Sequence, residues 1–205
     1  MREEILEAAL KQFLENGIRK ITVKEIIAPL GISTKTIYKY FKDKETLLEA
    51  CLDLHYGRLH EGMQSTAAEY DNPLILMFRM LIKGFELDFT INPAFYHDLN
   101  HYYPELQDKA IQKNFTVLTS PVSTVLADAI QLGLIRAGLD ARVVQAAIGV
   151  LYKSVTRSAE YAGFGLSPFE IAANTMEVYL RGLCTAEGLR QLELNKELTS
   201  FNYKP

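Results

Sequence analysis

Apolar residues recur every three or four positions along most of the chain, which is the pattern of amphipathic α-helices. The first run places Leu6, Leu10 and Phe13 on one face of a helix over residues 3–16, which Gly17 ends. Later runs predict helices over residues 43–62, 73–91, 104–132, 140–161 and 168–184. Since no segment alternates apolar and polar residues as a strand does, the pattern predicts an all-α fold.

Two helix starts follow each other closely after the first helix. Thr22 and Glu25 have the spacing of a capping box, in which each side chain caps a backbone N–H of the other residue. Gly31 tolerates a left-handed turn, and Ser33 is a favourable N-cap for a second short helix over about 34–41. Two short helices joined by a tight turn make a helix-turn-helix.

The basic charge of the chain is concentrated in this motif. Residues 17–44 contain seven Lys or Arg against two acidic residues, whereas the whole chain of 205 residues has a net charge of −3. Ile37 and Phe41 anchor one face of the second helix, which leaves hydroxyl, tyrosine and lysine side chains on the other. Such a basic face is the electrostatic footprint of nucleic-acid binding. The alternative is a helical hairpin with solvated lysines.

The run that starts at Gly31 reads Gly-Ile-Ser-x-x-x-Ile-Tyr-x-Tyr-Phe-Lys-Asp-Lys-Glu-x-Leu-Leu. It is similar, position by position, to the DNA-binding domain of TetR-type transcriptional repressors, and the resemblance covers residues 3 to about 50. Pro29 departs from the family pattern and should tighten or end the first short helix, because proline lacks an N–H. Tyr40 stands where the family has His or Tyr.

The resemblance implies two domains. Residues 1–45 would form a three-helix DNA-binding domain, and residues 46–205 a larger helical domain for ligand binding and dimerisation. The partner is then double-stranded DNA, with the recognition helix in the major groove. The side chains expected in the groove or at its edges are Thr34, Lys35, Thr36, Tyr38 and Lys39. Phosphates would be held by Tyr40, Lys44 and the helix start at Thr22.

Two apolar helices near the C-terminal end, over about 140–161 and 168–184, predict a twofold interface. The small residues Ala147, Ser154 and Ser158 would let another helix approach the first of them closely. A homodimer would present two recognition helices to half-sites about 34–36 Å apart, so the expected operator is an inverted repeat.

The helices after residue 45 offer an apolar lining with a few hydroxyl and imidazole groups, which is typical of a small-molecule pocket. The predicted ligand-binding residues are Met77, Phe78, Leu81, Phe85, Phe89, Tyr96, His97, Tyr103, Phe115 and Tyr152. The resemblance favours an enclosed cavity, and the expected effector is uncharged or singly charged and largely apolar or aromatic. The alternative is a DNA-binding protein with a filled core and no inducer, because apolar stripes at helical spacing are core by default.

His97 and His101 are four residues apart with Asp98 between them, and two imidazoles at this spacing can share a zinc ion. A small helical metal-dependent protein or enzyme that uses these residues is therefore the alternative function. It lacks an obvious third and fourth ligand. No phosphate loop, nucleophile elbow or paired-cysteine cluster is present, so no catalytic residue, metal or cofactor is predicted.

The composition, 48% hydrophobic and 23% charged, is that of an ordinary soluble globular protein. Neither a signal peptide nor a segment able to cross a bilayer is evident, so a cytoplasmic protein is expected. Cys51 and Cys184 lie far apart on apolar faces and are expected to be small reduced core residues.

Overall fold

The structure is a computed structural model that describes residues 1–158 and 160–201, without the side chains of residues 115–121. Its helices are α1 (Arg2–Asn16), α2 (Val23–Ile27), α3 (Thr34–Ile37), α4 (Lys44–Ala67), α5 (Pro73–Asp88), α6 (Pro93–Tyr102), α7 (Pro104–Gln131), α8 (Ala141–Arg157), α9 (Pro168–Ala172), α10 (Val178–Leu183), α11 (Ala186–Leu194) and α12 (Lys196–Thr199). Over these ranges there is no strand, and the predicted all-α fold is confirmed. None of the described helices is long and apolar enough to span a membrane.

Side-chain caps start several helices at the positions that the sequence predicted. Thr22 accepts a hydrogen bond from the backbone N–H of Glu25 at 3.3 Å, and the Glu25 carboxylate accepts one from the Thr22 N–H at 2.7 Å. Ser167 and Glu170 form the same capping box at the start of α9. Asp43 accepts a backbone N–H from the first turn of α4 at 2.8 Å. These caps satisfy N–H groups that have no partner within the helix.

Several helices end before their apolar repeat does. The helix α3 ends at Ile37 because Lys39 and Tyr40 donate to carbonyls three residues back, at 3.2 and 3.0 Å, which tightens the chain into turns. A 3₁₀ turn over Ala28–Leu30 contains the proline that was expected to tighten the first short helix. The last large helix is interrupted by a π-helical turn, Ala173–Glu177, between α9 and α10. Apolar spacing alone does not report these changes of helical pitch.

The chain forms two compact units, of which the first comprises residues 1–60 and 90–116. Its fully buried side chains include Ile5, Phe13, Ile26, Leu47 and Phe95. Ile37 and Phe41 are also buried, as the spacing on the second short helix predicted. Within this unit, Lys113 pairs with Asp53 at 2.7 Å, which joins α7 to α4 at the surface. The helix-turn-helix is therefore held by an apolar core beneath its loops.

The second unit comprises residues 61–89 and 117–205. Helix α5 is its centre, since Leu74, Phe78 and Phe85 are fully buried there. The ring of Phe85 stacks on that of Tyr152 with 4.6 Å between centroids and meets Phe201 edge-on at 5.7 Å. Aromatic pairs of this geometry add to the stabilisation from burial alone.

Both cysteines are free and buried, as the sequence predicted. Burial raises the pKa of the Cys51 thiol to about 12 and that of Cys184 to about 11. A thiol is nucleophilic only when deprotonated, so neither side chain is a reactive group at neutral pH.

Candidate functional site

The surface around α3 carries the side chains that were predicted to contact DNA. Because Ile37 and Phe41 point into the core, Lys35, Lys39 and Tyr38 are left exposed, the last of them by 53%. Tyr40 is exposed as well, whereas Thr34 and Thr36 are half-buried. Ser33 accepts the Thr36 N–H at 3.2 Å, and the two hydroxyl oxygens lie 3.0 Å apart. We name this surface the α3 face.

Lys44 takes a position that the sequence did not predict. Its ammonium donates to the carbonyl of Ile18 at 2.6 Å and also to that of Ile21, both in the loop of residues 17–22 that joins α1 to α2. Desolvation lowers the pKa of Lys44, and the carboxylates of Asp98 and Glu25 oppose that shift. In this structure Lys44 thus holds the α1–α2 loop, and its contact with a phosphate stays a prediction.

Asp98 holds the same loop through its amides. One oxygen of this buried carboxylate accepts the backbone N–H groups of Ile18 at 2.9 Å and Arg19 at 2.8 Å. The guanidinium of Arg19 lies over the Tyr102 ring, 3.9 Å from its centroid. Sequence spacing could not reveal this role, because Asp98 and Ile18 are 80 residues apart.

The start of α6 is joined to the end of α1 in the same unit. The backbone N–H of Asn92 donates to the Leu14 carbonyl at 2.8 Å, and its side-chain amide donates to the Glu15 carbonyl at 3.0 Å. Gly17 has a φ of +82°, and a Cβ at this position would lie 3.0 Å from that of Ala94. Glycine is therefore required both by its backbone conformation and by the close approach of α6.

The histidine pair of α6 is at the surface. The rings of His97 and His101 stack with 4.3 Å between centroids, and His101 Nδ1 lies 3.0 Å from the His97 carbonyl oxygen. Asp98 Oδ2 accepts the two backbone N–H groups of the α1–α2 loop, and its other oxygen, Oδ1, lies 3.7 Å from His97 Nδ1. Across the described residues, no group of three or more potential ligands could hold a metal ion.

A pocket of about 240 Å³ lies in the second unit, between α5 and α8. It is lined by Met63, Met80, Leu81, Gly84, Val122, Gln145, Ile148, Gly149, Tyr152, Lys153 and Arg157. Leu81 and Tyr152 are the two predicted ligand-binding residues in this lining. A Cβ at Gly84 would lie 2.9 Å from the Tyr152 hydroxyl, so glycine lets Tyr152 lie across α5.

The other predicted ligand-binding residues lie elsewhere. Met77, Phe78 and Phe85 are buried in the core of the second unit, and the Phe89 ring meets that of Phe169 there at 4.8 Å. The first unit contains Tyr96, which is buried, His97, which is exposed, and Tyr103, whose pKa burial raises. The Phe115 side chain lies outside the described residues. The ligand-binding role of these residues stays a prediction.

The sequence did not reveal four residues of the pocket lining, because their role depends on which parts of the fold surround them. Gly84 and Gly149 leave room on α5 and α8, and Lys153 and Arg157 add charge to an otherwise apolar lining. Their spacing could have indicated a shared surface, because residues four apart lie on one side of a helix. Gly149, Lys153 and Arg157 have this spacing.

The buried core beneath two short helices, the exposed basic α3 face and the capped helix starts together define a helix-turn-helix DNA-binding protein. Comparison with known proteins specifies the class. Residues 5–51 match the family model described as "Bacterial regulatory proteins, tetR family". These matches support a transcriptional regulator of the TetR type, and the resemblance drawn from the sequence is confirmed.

Two similar curated proteins cover most of the chain, and a third covers less than half of it. The fatty acid metabolism regulator protein of Bacillus subtilis is 28% identical over 157 residues, which are 75% of this chain and 80% of that protein. The regulator TtgR of Pseudomonas putida is 28% identical over 148 residues, or 68% and 70% of the two chains. The repressor KstR2 of Mycobacterium tuberculosis is 35% identical over 89 residues, or 42% of each chain.

The fold is shared with solved regulators. The crystal structure of FadR from Bacillus subtilis in complex with stearoyl-CoA has a TM-score of 0.70 and 23% identity, over 90% of this chain and 98% of that one. SmeT, the repressor of a Stenotrophomonas maltophilia multidrug efflux pump, has a TM-score of 0.65 and 19% identity, over 91% of each chain. The family match and the curated relatives favour a DNA-binding regulator over the metal-dependent alternative.

Proposed function

We propose that the protein is a homodimeric repressor that binds an inverted-repeat operator through its α3 face and responds to a small, largely apolar effector. The observation that carries the DNA-binding part is the α3 face itself. Its lysines and tyrosines are exposed because Ile37 and Phe41 fill the core, so these side chains are available to a partner. An exposed basic helix face of this kind suits a major groove lined by phosphates.

The dimer is supported by an exposed apolar stripe on α8. Val143 and Val150 are seven residues apart and therefore share a face, and they are 65% and 68% exposed. Val178 of α10 is also exposed. Exposed valines that share a face are stabilised when another apolar surface covers them. In a twofold dimer, the same helices of a second copy of the chain would supply that surface. These helices lie within the two ranges, 140–161 and 168–184, proposed for the interface.

The effector is supported by the pocket between α5 and α8. Its lining is mostly apolar with a few polar groups, which is typical of a small-molecule site. The similar FadR structure was solved in complex with stearoyl-CoA, which agrees with an effector that has a substantial apolar part. An effector and DNA that bind different conformations weaken each other by the same factor, and about 1–3 kcal/mol of coupling suffices for a switch.

Selection of bound sites from a random duplex pool tests the DNA-binding proposal. We expect an inverted repeat whose half-sites are separated by about one helical turn, 34–36 Å, or a multiple of it. Lys39→Ala should weaken binding to the selected site by about 1–3 kcal/mol and relax its sequence preference. The matched control is Lys196→Ala, which removes the same charge from an exposed position in the second unit. Equal affinity of both variants for the selected duplex would contradict a role for the α3 face.

Lys44→Ala separates a phosphate contact from the loop contact seen in the structure. If Lys44 also reaches a phosphate, the variant should bind all sequences more weakly and lower the salt slope of binding by about one unit. If the ammonium only holds the carbonyls of Ile18 and Ile21, the variant should lose thermal stability while the salt slope stays unchanged. Binding measured from low to moderate salt, with a melting curve, decides between the two.

A further inference from the structure

The pocket of the second unit has an apolar body and a cationic edge. Met80, Leu81 and Ile148 supply hydrocarbon from α5 and α8. Lys153 and Arg157 add two cations to the lining, one helical turn apart. Since Lys153 is exposed, it lies where the pocket meets solvent.

The two cations differ in what they already bind. Arg157 is largely buried, and its guanidinium lies 3.8 Å from the carboxylate of Asp88, which is buried too. This pair is neutral as a whole. Lys153 makes no ion pair with any residue that the structure describes. The lining therefore has one excess positive charge, and it is carried by a flexible side chain at the solvent edge.

An excess cation beside hydrocarbon selects the charge of a ligand. A carboxylate placed beside Lys153 would gain a charge-assisted hydrogen bond, which is about twice as strong as a neutral one. An ammonium group in the same place would be repelled. An uncharged ligand would gain only from burying its apolar part.

The size of the pocket limits the ligand. A cavity of about 150 Å³ holds one benzene ring, or roughly 25 Å³ for each non-hydrogen atom. The pocket here has about 240 Å³. At the same volume for each atom, a ligand of about ten non-hydrogen atoms would fill this pocket.

We propose that this pocket binds a small monocarboxylate of about ten non-hydrogen atoms in all, with its apolar chain in the pocket and its carboxylate paired with Lys153. The proposal rests on the proposed effector pocket and specifies the chemistry of its ligand. Lys153 is the residue that determines charge specificity, while Gly149 keeps the space open, because a Cβ there would meet nothing within 4 Å.

Isothermal titration calorimetry on the full chain, without DNA, tests this chemistry with three probes of matched length: octanoate, 1-octanol and octylammonium. We expect octanoate to bind about tenfold more tightly than 1-octanol, equivalent to about 1.4 kcal/mol, and octylammonium to bind most weakly. Lys153→Met keeps the length of the side chain and removes its charge. It should reduce the affinity for octanoate about tenfold and leave that for 1-octanol unchanged.

Two further variants complete the test. Gly149→Leu should abolish binding of octanoate and 1-octanol alike, because leucine would fill the pocket and is well tolerated in a helix. Lys196→Met, at an exposed site in the second unit, should bind all three probes as the unmodified protein does. Equal affinities of the unmodified protein for octanoate and 1-octanol would overturn the proposal, as would an unchanged affinity of Lys153→Met for octanoate.

The same proteins, titrated with the selected operator duplex, keep this result separate from the repressor proposal. Failure to bind any duplex would contradict the repressor function while the calorimetric preference for octanoate stood. Operator binding without a preference for octanoate would contradict the carboxylate site alone.

Discussion

Replacing Asp98 by alanine should destabilise the first unit, because one oxygen of this carboxylate accepts two backbone N–H groups of the α1–α2 loop. The bonds from Ile18 and Arg19 measure 2.9 and 2.8 Å, and the Ile18 N–H is in the buried part of the unit. No other side chain of the described residues accepts these two N–H groups in the structure. Their loss leaves two donors without a partner at the entrance to α2.

The size of the effect follows from the type of bond. A hydrogen bond to a charged group contributes about 1.5–3 kcal/mol, and a buried donor without a partner costs about 1–3 kcal/mol. Because both bonds end on one oxygen and water can reach the Arg19 N–H, we expect a total loss of about 3 kcal/mol rather than the sum. For a chain of this length, about 3 kcal/mol lowers the melting temperature by roughly 6–12 °C.

Thermal melting followed by circular dichroism measures this loss. Asp98→Asn keeps an oxygen at the same place without the charge, so it should lose about half as much stability. Asp108→Ala is the matched control, since Asp108 is exposed on α7 in the same unit and removes an equal charge. If Asp98→Ala melted within about 1 °C of Asp108→Ala, the hydrogen bonds would not stabilise the loop and the reasoning would be refuted.

Two other predictions concern the second unit. Val150→Glu places a charge on the exposed stripe of α8, so the variant should be a monomer where the unmodified protein is a dimer. Sedimentation at micromolar concentration measures this change, and the helix content should stay the same. An unchanged dimer would exclude this stripe from the interface. The hydrogen bonds from Arg190 and Gln191 lower the pKa of Glu187 from 4.5 to about 2. The ionised carboxylate should therefore stabilise α11 above pH 4.5, and this stabilisation should be lost as the pH falls toward 2. Arg190→Gln should move the pKa of Glu187, measured by NMR titration, back toward 4.5; a carboxyl that still titrates near 2 would contradict the assigned cause.

The helix-turn-helix could be predicted from the sequence because its signals are local. The capping box of Thr22 and Glu25 spans four residues, and the anchors Ile37 and Phe41 are one turn apart. Each of these interactions joins residues that are close in sequence, so it can be predicted without knowledge of the rest of the fold. Within this motif α3 was predicted too long, because it ends where the backbone hydrogen bonds shift from four residues back to three.

The pocket could not be predicted in the same way. Helix α5 is apolar almost all round, so its periodicity does not say which side faces a cavity and which side faces the core. Phe85 was expected in the lining but is enclosed by other rings, whereas Gly84, its neighbour, lines the pocket. The position of α8 decides this difference. The packing of α8 against α5 is a tertiary contact between residues more than sixty positions apart in the sequence.

Lys44 and Asp98 show how distant residues can set the geometry of a local motif. Lys44 binds carbonyls of the α1–α2 loop, and Asp98 binds amides of the same loop, so the loop is held through both kinds of backbone group. This loop leads directly into the capping box that starts α2. A displacement of α6 would therefore break or strain the hydrogen bonds between Asp98 and these backbone N–H groups, and it would disturb the start of α2, the first helix of the helix-turn-helix. The resemblance places the DNA-binding domain in residues 1–45, but the hydrogen bonds that fix its loop come in part from α6, which belongs to the same compact unit.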